Sequence, residues 1–111
     1  MMDKTTGPKK SRRQMLEELV AKKPDDALSR YGLALECMNS GDSAAADRHF
    51  RTLLEHNAAY VPGYHMYGQF LARQARTEEA RSVLSSGIAA AAQAGNQHAR
   101  SEMEALLNDL S

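Results

Sequence analysis

The sequence of 111 residues has no tryptophan, a single cysteine and no formal net charge. With one cysteine the chain cannot form an internal disulfide. A balance of 14 basic and 14 acidic residues gives no standing basic field, which argues against a general nucleic-acid or membrane-surface role. No apolar run is long enough to span a bilayer, and the first residues lack the apolar stretch of a secretory signal. We therefore expect one soluble domain in the cytoplasm.

The apolar residues that are present recur at helical spacing, and turn residues interrupt them. Residues 1–10 have nothing to bury and are predicted to be a flexible basic tail. Ser11 and Gln14 form a capping-box pattern that starts the first helix, and Pro24 stops it. Gly41 ends the second helix, and similar signals delimit four more. Because no segment has the alternation of a strand, the sequence predicts an all-α protein of about six helices.

The middle of the chain contains a pattern that repeats after 34 residues. Small residues match small ones, and most large apolar residues match large ones. The small pairs are Ala34 with Gly68, Gly41 with Ala75 and Ala46 with Ala80, and the larger pairs include Leu33 with Tyr67, Cys37 with Leu71 and Phe50 with Leu84. A helix–turn–helix period of this length is typical of tetratricopeptide (TPR) arrays, and the chain resembles that family over roughly residues 11–110.

This resemblance implies an α-α superhelix, a TPR-like solenoid of about six antiparallel helices in a single domain over 11–110. Its expected parts are an N-terminal capping helix at 11–22, repeat 1 at 26–57, repeat 2 at 58–95 and a C-terminal capping helix at 97–110. Small residues at matching positions predict helix crossings with room for small side chains only.

The resemblance also implies a function, because TPR proteins bind peptides or helices on the inner faces of the first helix of each repeat. We therefore predict an adaptor or scaffold that binds a peptide or helix of a partner protein in a concave groove. The expected groove residues are Tyr31, Leu35, Met38, Asn39, His65, Met66, Gln69 and Arg73.

Two alternatives stay open. The apolar inner face could instead pair two copies into a homodimer with no separate ligand. A weaker alternative is a nucleic-acid-associated accessory that uses the basic N-terminal cluster. That cluster comprises Lys4, Lys9, Lys10, Arg12 and Arg13.

No arrangement of residues indicates catalysis, a metal site or a cofactor. His49 and His56 could share a helix face, but no cysteine or carboxylate joins them at a metal-ligand spacing. Cys37 stands at an apolar position of the repeat and is expected to be a small buried hydrophobe. We therefore expect a protein that is not an enzyme and needs no cofactor.

Overall fold

The computed structural model describes residues 10–110, which form six α-helices joined by short turns. The helices are α1 (Arg12–Lys22), α2 (Ala27–Asn39), α3 (Ser43–His56), α4 (Val61–Arg73), α5 (Thr77–Ala94) and α6 (Gln97–Asp109). These bounds confirm the all-α prediction. Of the predicted tail at 1–10, only Lys10 is among the described residues.

Polar side chains fix where several helices begin. The predicted capping box is confirmed: the backbone N–H of Gln14 donates to Ser11 Oγ at 3.0 Å, and the backbone N–H of Ser11 donates to Gln14 Oε1 at 2.8 Å. Asp42 caps α3 by accepting from the backbone N–H of Ala45 at 3.1 Å. Each bond satisfies a backbone group that a helix end would otherwise leave without a partner.

The turns between the paired helices use a left-handed residue. Gly41 (φ 84°) follows α2 and Ala75 (φ 60°) follows α4, so the two turns repeat at the 34-residue spacing. Around Ala75, the backbone N–H of Arg76 donates to the carbonyl of Leu71 at 2.9 Å, and Asp42 donates equivalently to Cys37 at 2.9 Å. Both are Schellman-type helix ends, a motif that favours glycine at the left-handed position.

Small residues allow the paired helices to approach closely, as the repeat pattern predicts. Ala46 and Ala80 are fully buried. A Cβ added to Gly68 on α4 would lie only 2.4 Å from Leu84 on α5. Around these points pack larger residues, including Phe50 and Tyr67, whose rings stack with centroids 5.1 Å apart.

The helices pack mainly on their neighbours along the chain, which gives an elongated molecule. Each consecutive pair is in contact, and α4 also meets α6. The Cα radius of gyration is 16.2 Å, compared with about 13 Å for a compact domain of 100 residues. Along this array the buried side chains form two clusters, one that extends from α1 to Ala80 at the start of α5 and one around α4–α6.

Helix α1 is buried on one side only. Leu16 and Val20 pack against the first cluster, as the helical spacing of the apolar residues predicts. Met15 and Leu19 share that pattern, but each is 49% exposed. The reason is that α1 packs chiefly against α2, and within residues 10–110 no second helix covers its other side.

Candidate partner-binding groove

Helix α2 has two apolar sides with different degrees of burial. Leu33 and Cys37 are almost completely buried in the first core cluster. Tyr31, Leu35 and Met38 are only half-buried, although they pack against the same cluster. These three side chains lie at helical spacing and form a strip along α2, and Asn39 is exposed at the end of the helix.

Helix α4 contributes the second strip. Met66 is half-buried and packs against the same core cluster as the apolar strip of α2. Gln69 is also half-buried, and its Oε1 lies 3.5 Å from NH2 of the exposed Arg73. We call the eight predicted residues on these two helices the groove: Tyr31, Leu35, Met38, Asn39, His65, Met66, Gln69 and Arg73.

Helix α6 meets the α4 strip through a histidine. His65 Nδ1 lies 3.8 Å from Glu102 Oε1, and His98 Nε2 lies 3.3 Å from Glu102 Oε2. Glu102 therefore stands between two histidines at one end of the groove. Sequence analysis did not include His98 in the site, although its spacing of four residues from Glu102 on one helix face was visible.

Comparison with known proteins identifies the family. The chain is 35% identical over 97 residues to a TPR repeat-containing protein of Pseudomonas aeruginosa, a match that covers 86% of this chain and 90% of the relative. The chain belongs to the TPR repeat-containing proteins. No family model matches the sequence.

Solved structures agree with this assignment. A protein of Bordetella parapertussis superposes with a TM-score of 0.77 at 27% identity, covering 92% of this chain and 89% of that one. A tetratricopeptide repeat domain protein of Salinibacter ruber superposes with a TM-score of 0.76 at 29% identity, covering 80% of this chain and 90% of that one. The TPR superhelix predicted from the 34-residue period is thereby confirmed.

A polar network that uses none of the groove residues joins α3, α4 and the start of α5. The Tyr67 hydroxyl donates to Asp47 Oδ1 at 2.5 Å, and Arg51 Nε lies 3.2 Å from Asp47 Oδ2. Arg76 Nη1 lies 3.1 Å from Asp47 Oδ1, and Arg76 Nη2 lies 2.7 Å from Glu79 Oε2. The pKa of the Tyr67 hydroxyl is raised, mainly because the group is buried and secondly because it is bonded to Asp47. Sequence analysis missed this network because its members lie on three helices.

Shallow cavities lie beside this network, between α3 and α5. The larger has a volume of about 270 Å³ and is lined by residues that include Arg51, Leu54, Tyr64 and Ser86. A neighbouring cavity of about 250 Å³ shares Arg51 with it. Their walls are drawn from α3, α4 and α5, so they are distinct from the groove.

The described residues show little that could support metal binding or covalent chemistry. Within 10–110, no group of three or more His, Cys, Asp or Glu residues is arranged to hold a metal ion. Cys37 is fully buried, as predicted, and burial raises the pKa of its thiol, which keeps it protonated and unreactive. His49 is half-buried beside Arg30, with Nδ1 and NH1 3.5 Å apart, and burial lowers its pKa.

Among 10–110, no helix combines the length and the apolar character required to cross a bilayer.

Proposed function

We propose that this TPR protein is an adaptor that binds a peptide or helix of a partner protein in the groove. The proposed module has α2–α3 and α4–α5 as its two repeats, and α1 and α6 as capping helices. The observation that carries the proposal is the pair of half-buried strips on α2 and α4, whose apolar members pack on one core cluster and keep part of their surface open.

The chemistry of the groove favours a partner segment with an apolar face. Tyr31 and Leu35 offer broad apolar surface, and Met38 and Met66 can adjust their shape to a bound side chain. Gln69, Arg73 and the His65–Glu102 pair supply polar contacts at the edge of this surface. An amphipathic helix or extended peptide uses such a combination, because its apolar anchors provide affinity and its polar residues fix the register.

The alternative of nucleic-acid binding is weakened by the pairing of the basic cluster. Lys10 lies 2.7 Å from Glu18, Arg12 lies 3.1 Å from Glu36, and Arg13 lies 2.9 Å from Asp42. These cations are paired with carboxylates of the same chain, which reduces the positive field that they offer to phosphates. Lys4 and Lys9 lie outside the described residues.

A catalytic role has no support either, because the thiol is buried and the groove holds no nucleophile with an adjacent base. We therefore propose a non-catalytic protein that needs no cofactor. Its location in the cytoplasm stays a prediction from the sequence.

The groove can be tested by affinity capture from a lysate of the native organism. Met66→Glu places a charge among the apolar groove residues, and Arg73→Glu reverses a charge at the exposed edge. Met66→Glu is expected to lose the partners that the unaltered chain captures while keeping its helical circular dichroism, since removal of a central anchor commonly costs more than about 1 kcal/mol of affinity. Arg73→Glu, at the edge of the groove, is expected to weaken partner capture less than Met66→Glu does.

The matched control is Arg48→Glu, the same charge reversal on the exposed face of α3. It is expected to leave partner capture unchanged. Retention of all partners by Met66→Glu, with their loss in Lys10→Glu, would contradict the proposal and move the function to the basic N-terminal cluster.

A further inference from the structure

Three large apolar side chains of the described residues are exposed, and all three come from the first two helices. Met15 and Leu19 on α1 are each 49% exposed, and Leu28 on α2 is 69% exposed. We call these three residues the front patch. Single exposed apolar residues are ordinary on protein surfaces, whereas neighbouring ones mark interaction sites.

The register of α1 against α2 brings the front patch together. Leu16 lies 3.3 Å from a Cβ built on Gly32, and Arg12 Nε lies 3.1 Å from Glu36 Oε1. Moving four residues back on α1 therefore moves the contact four residues forward on α2, so the helices are antiparallel. At this register Leu28 is level with position 20 of α1, which is next to Leu19 in the chain.

The internal repeat allows the exposed face of α1 to be compared with the same face of α3, which stands 34 residues later. One repeat later, the positions of Met15 and Leu19 are occupied by His49 and Leu53 on α3. His49 meets Arg30 of α2 at 3.5 Å, and Leu53 is completely buried. Helix α3 thus has another helix on the face where α1 has none among the described residues.

One acidic and one basic residue of α1, beside the front patch, can pair with the same two residues of a second copy of the chain. Glu18 and Lys22 lie one helical turn apart on the border of α1 that faces away from α2. When two antiparallel copies of α1 are related by a two-fold axis, the same border of each helix meets. Glu18, which also lies 2.7 Å from Lys10 of its own chain, then faces Lys22 of the second copy, and the reverse pair forms by symmetry. An isologous interface requires self-complementarity of this kind.

We propose that the front patch is the contact surface between two copies of this chain. The two α1 helices pack antiparallel, with the two-fold axis close to Leu19 and Leu28. The patch consists of few side chains, so the buried area is small and the dimer is weak and concentration-dependent. The proposal uses none of the eight groove residues. Because Leu28 lies one helical turn before Tyr31 on α2, Leu19→Glu on α1 is the variant that separates dimerisation from partner binding in the groove.

Sedimentation velocity and light scattering between about 10 μM and about 1 mM test this self-association, since small interfaces give weak complexes. The unaltered chain is expected to shift from monomer to dimer across this range. Leu19→Glu and Leu28→Glu are expected to stay monomeric and, because both residues are exposed, to keep the helical circular dichroism. Met66→Glu in the groove is the control and is expected to dimerise normally.

A charge swap tests the two-fold geometry itself, with every variant made in a chain that carries Lys10→Gln, so that the pair of Glu18 with Lys10 does not contribute to the comparison. Glu18→Lys and Lys22→Glu, made singly, are each expected to weaken dimerisation by about 2- to 30-fold, because two exposed ion pairs are lost per dimer. The double variant restores both pairs and is expected to recover the original dissociation constant to within about 2-fold.

Three outcomes would overturn the proposal. The first is a chain that is monomeric up to the highest concentration, which would leave the front patch for a helix of another protein. The second is a dimer that Met66→Glu abolishes and Leu19→Glu does not, which would place the contact in the groove. The third is a double charge variant that is no better than the single ones.

Discussion

Ala75 occupies a backbone conformation that suits glycine, and replacing it should stabilise the protein. Its φ of 60° is left-handed, which costs a residue with a side chain about 1–2 kcal/mol. Glycine removes that cost but adds entropy to the unfolded chain, a penalty of about 0.4–1 kcal/mol. The difference predicts that Ala75→Gly raises the free energy of unfolding by roughly 1 kcal/mol, which corresponds to an increase in Tm of about 4–8 °C.

The first repeat provides the matched control. Gly41 has φ 84° at the equivalent turn, and a Cβ added there would have no heavy atom within 4 Å. Gly41→Ala is therefore expected to lower stability by a similar amount through the backbone alone. The two single variants and the double variant can be compared by urea and thermal unfolding followed by circular dichroism.

The free energy of unfolding of the double variant should be close to that of the unaltered chain, since the effects of distant substitutions on stability add to within about 0.3–0.5 kcal/mol. A Tm of Ala75→Gly at or below that of the unaltered chain would refute the reasoning, because it would mean that the left-handed turn stores no relievable strain.

Two further predictions concern packing and pH. Gly68→Ala should lower the free energy of unfolding by about 1–3 kcal/mol, because the new Cβ would lie 2.4 Å from Leu84. The control is Gly32→Ala, which should not lower the free energy of unfolding, because the nearest atom to its Cβ is a methyl group of Leu16 at 3.3 Å. Equal losses of stability for the two variants in urea unfolding would count against a close approach of α4 and α5 at Gly68. The pKa of His49 is lowered mainly by burial and further by the nearby charges of Arg48 and Arg30. Since His49 then binds protons more readily in the unfolded chain than in the folded one, the free energy of unfolding falls as pH drops from about 7 to about 5. His49→Gln should flatten the curve of unfolding free energy against pH in this range, and an unchanged slope would exclude His49 as its source.

The repeat period made the fold predictable, because its small and large positions report directly on helix crossings. Ala46, Gly68 and Cys37 were placed correctly for this reason. Helix periodicity could not show that Met15 and Leu19 would stay exposed, because that depends on whether a neighbouring helix exists. Contacts between side chains of different helices could not be predicted from spacing along the chain either. The bonds of Asp47 to Tyr67 and Arg76 are of this kind and follow only from the three-dimensional structure.

The candidate groove was only partly accessible from the sequence. The strip on α2 follows from helical spacing, which places Tyr31, Leu35 and Met38 on one side. The approach of His65 to Glu102 depends on how α6 lies against α4, and spacing along the chain does not encode that distance. The predicted partner-binding role of these residues stays a prediction.

The unequal size of the two buried clusters has a consequence for hydrogen exchange. The first cluster contains twelve buried residues and the second only four, of which Met103 is the one supplied by α6. Helices with few buried contacts open at a free energy below that of global unfolding. We therefore expect the amides of α6 to exchange faster than those of α2 and α3. Since α6 brings Glu102 to the groove, a segment bound there would slow exchange throughout α6, including at amides that it never touches.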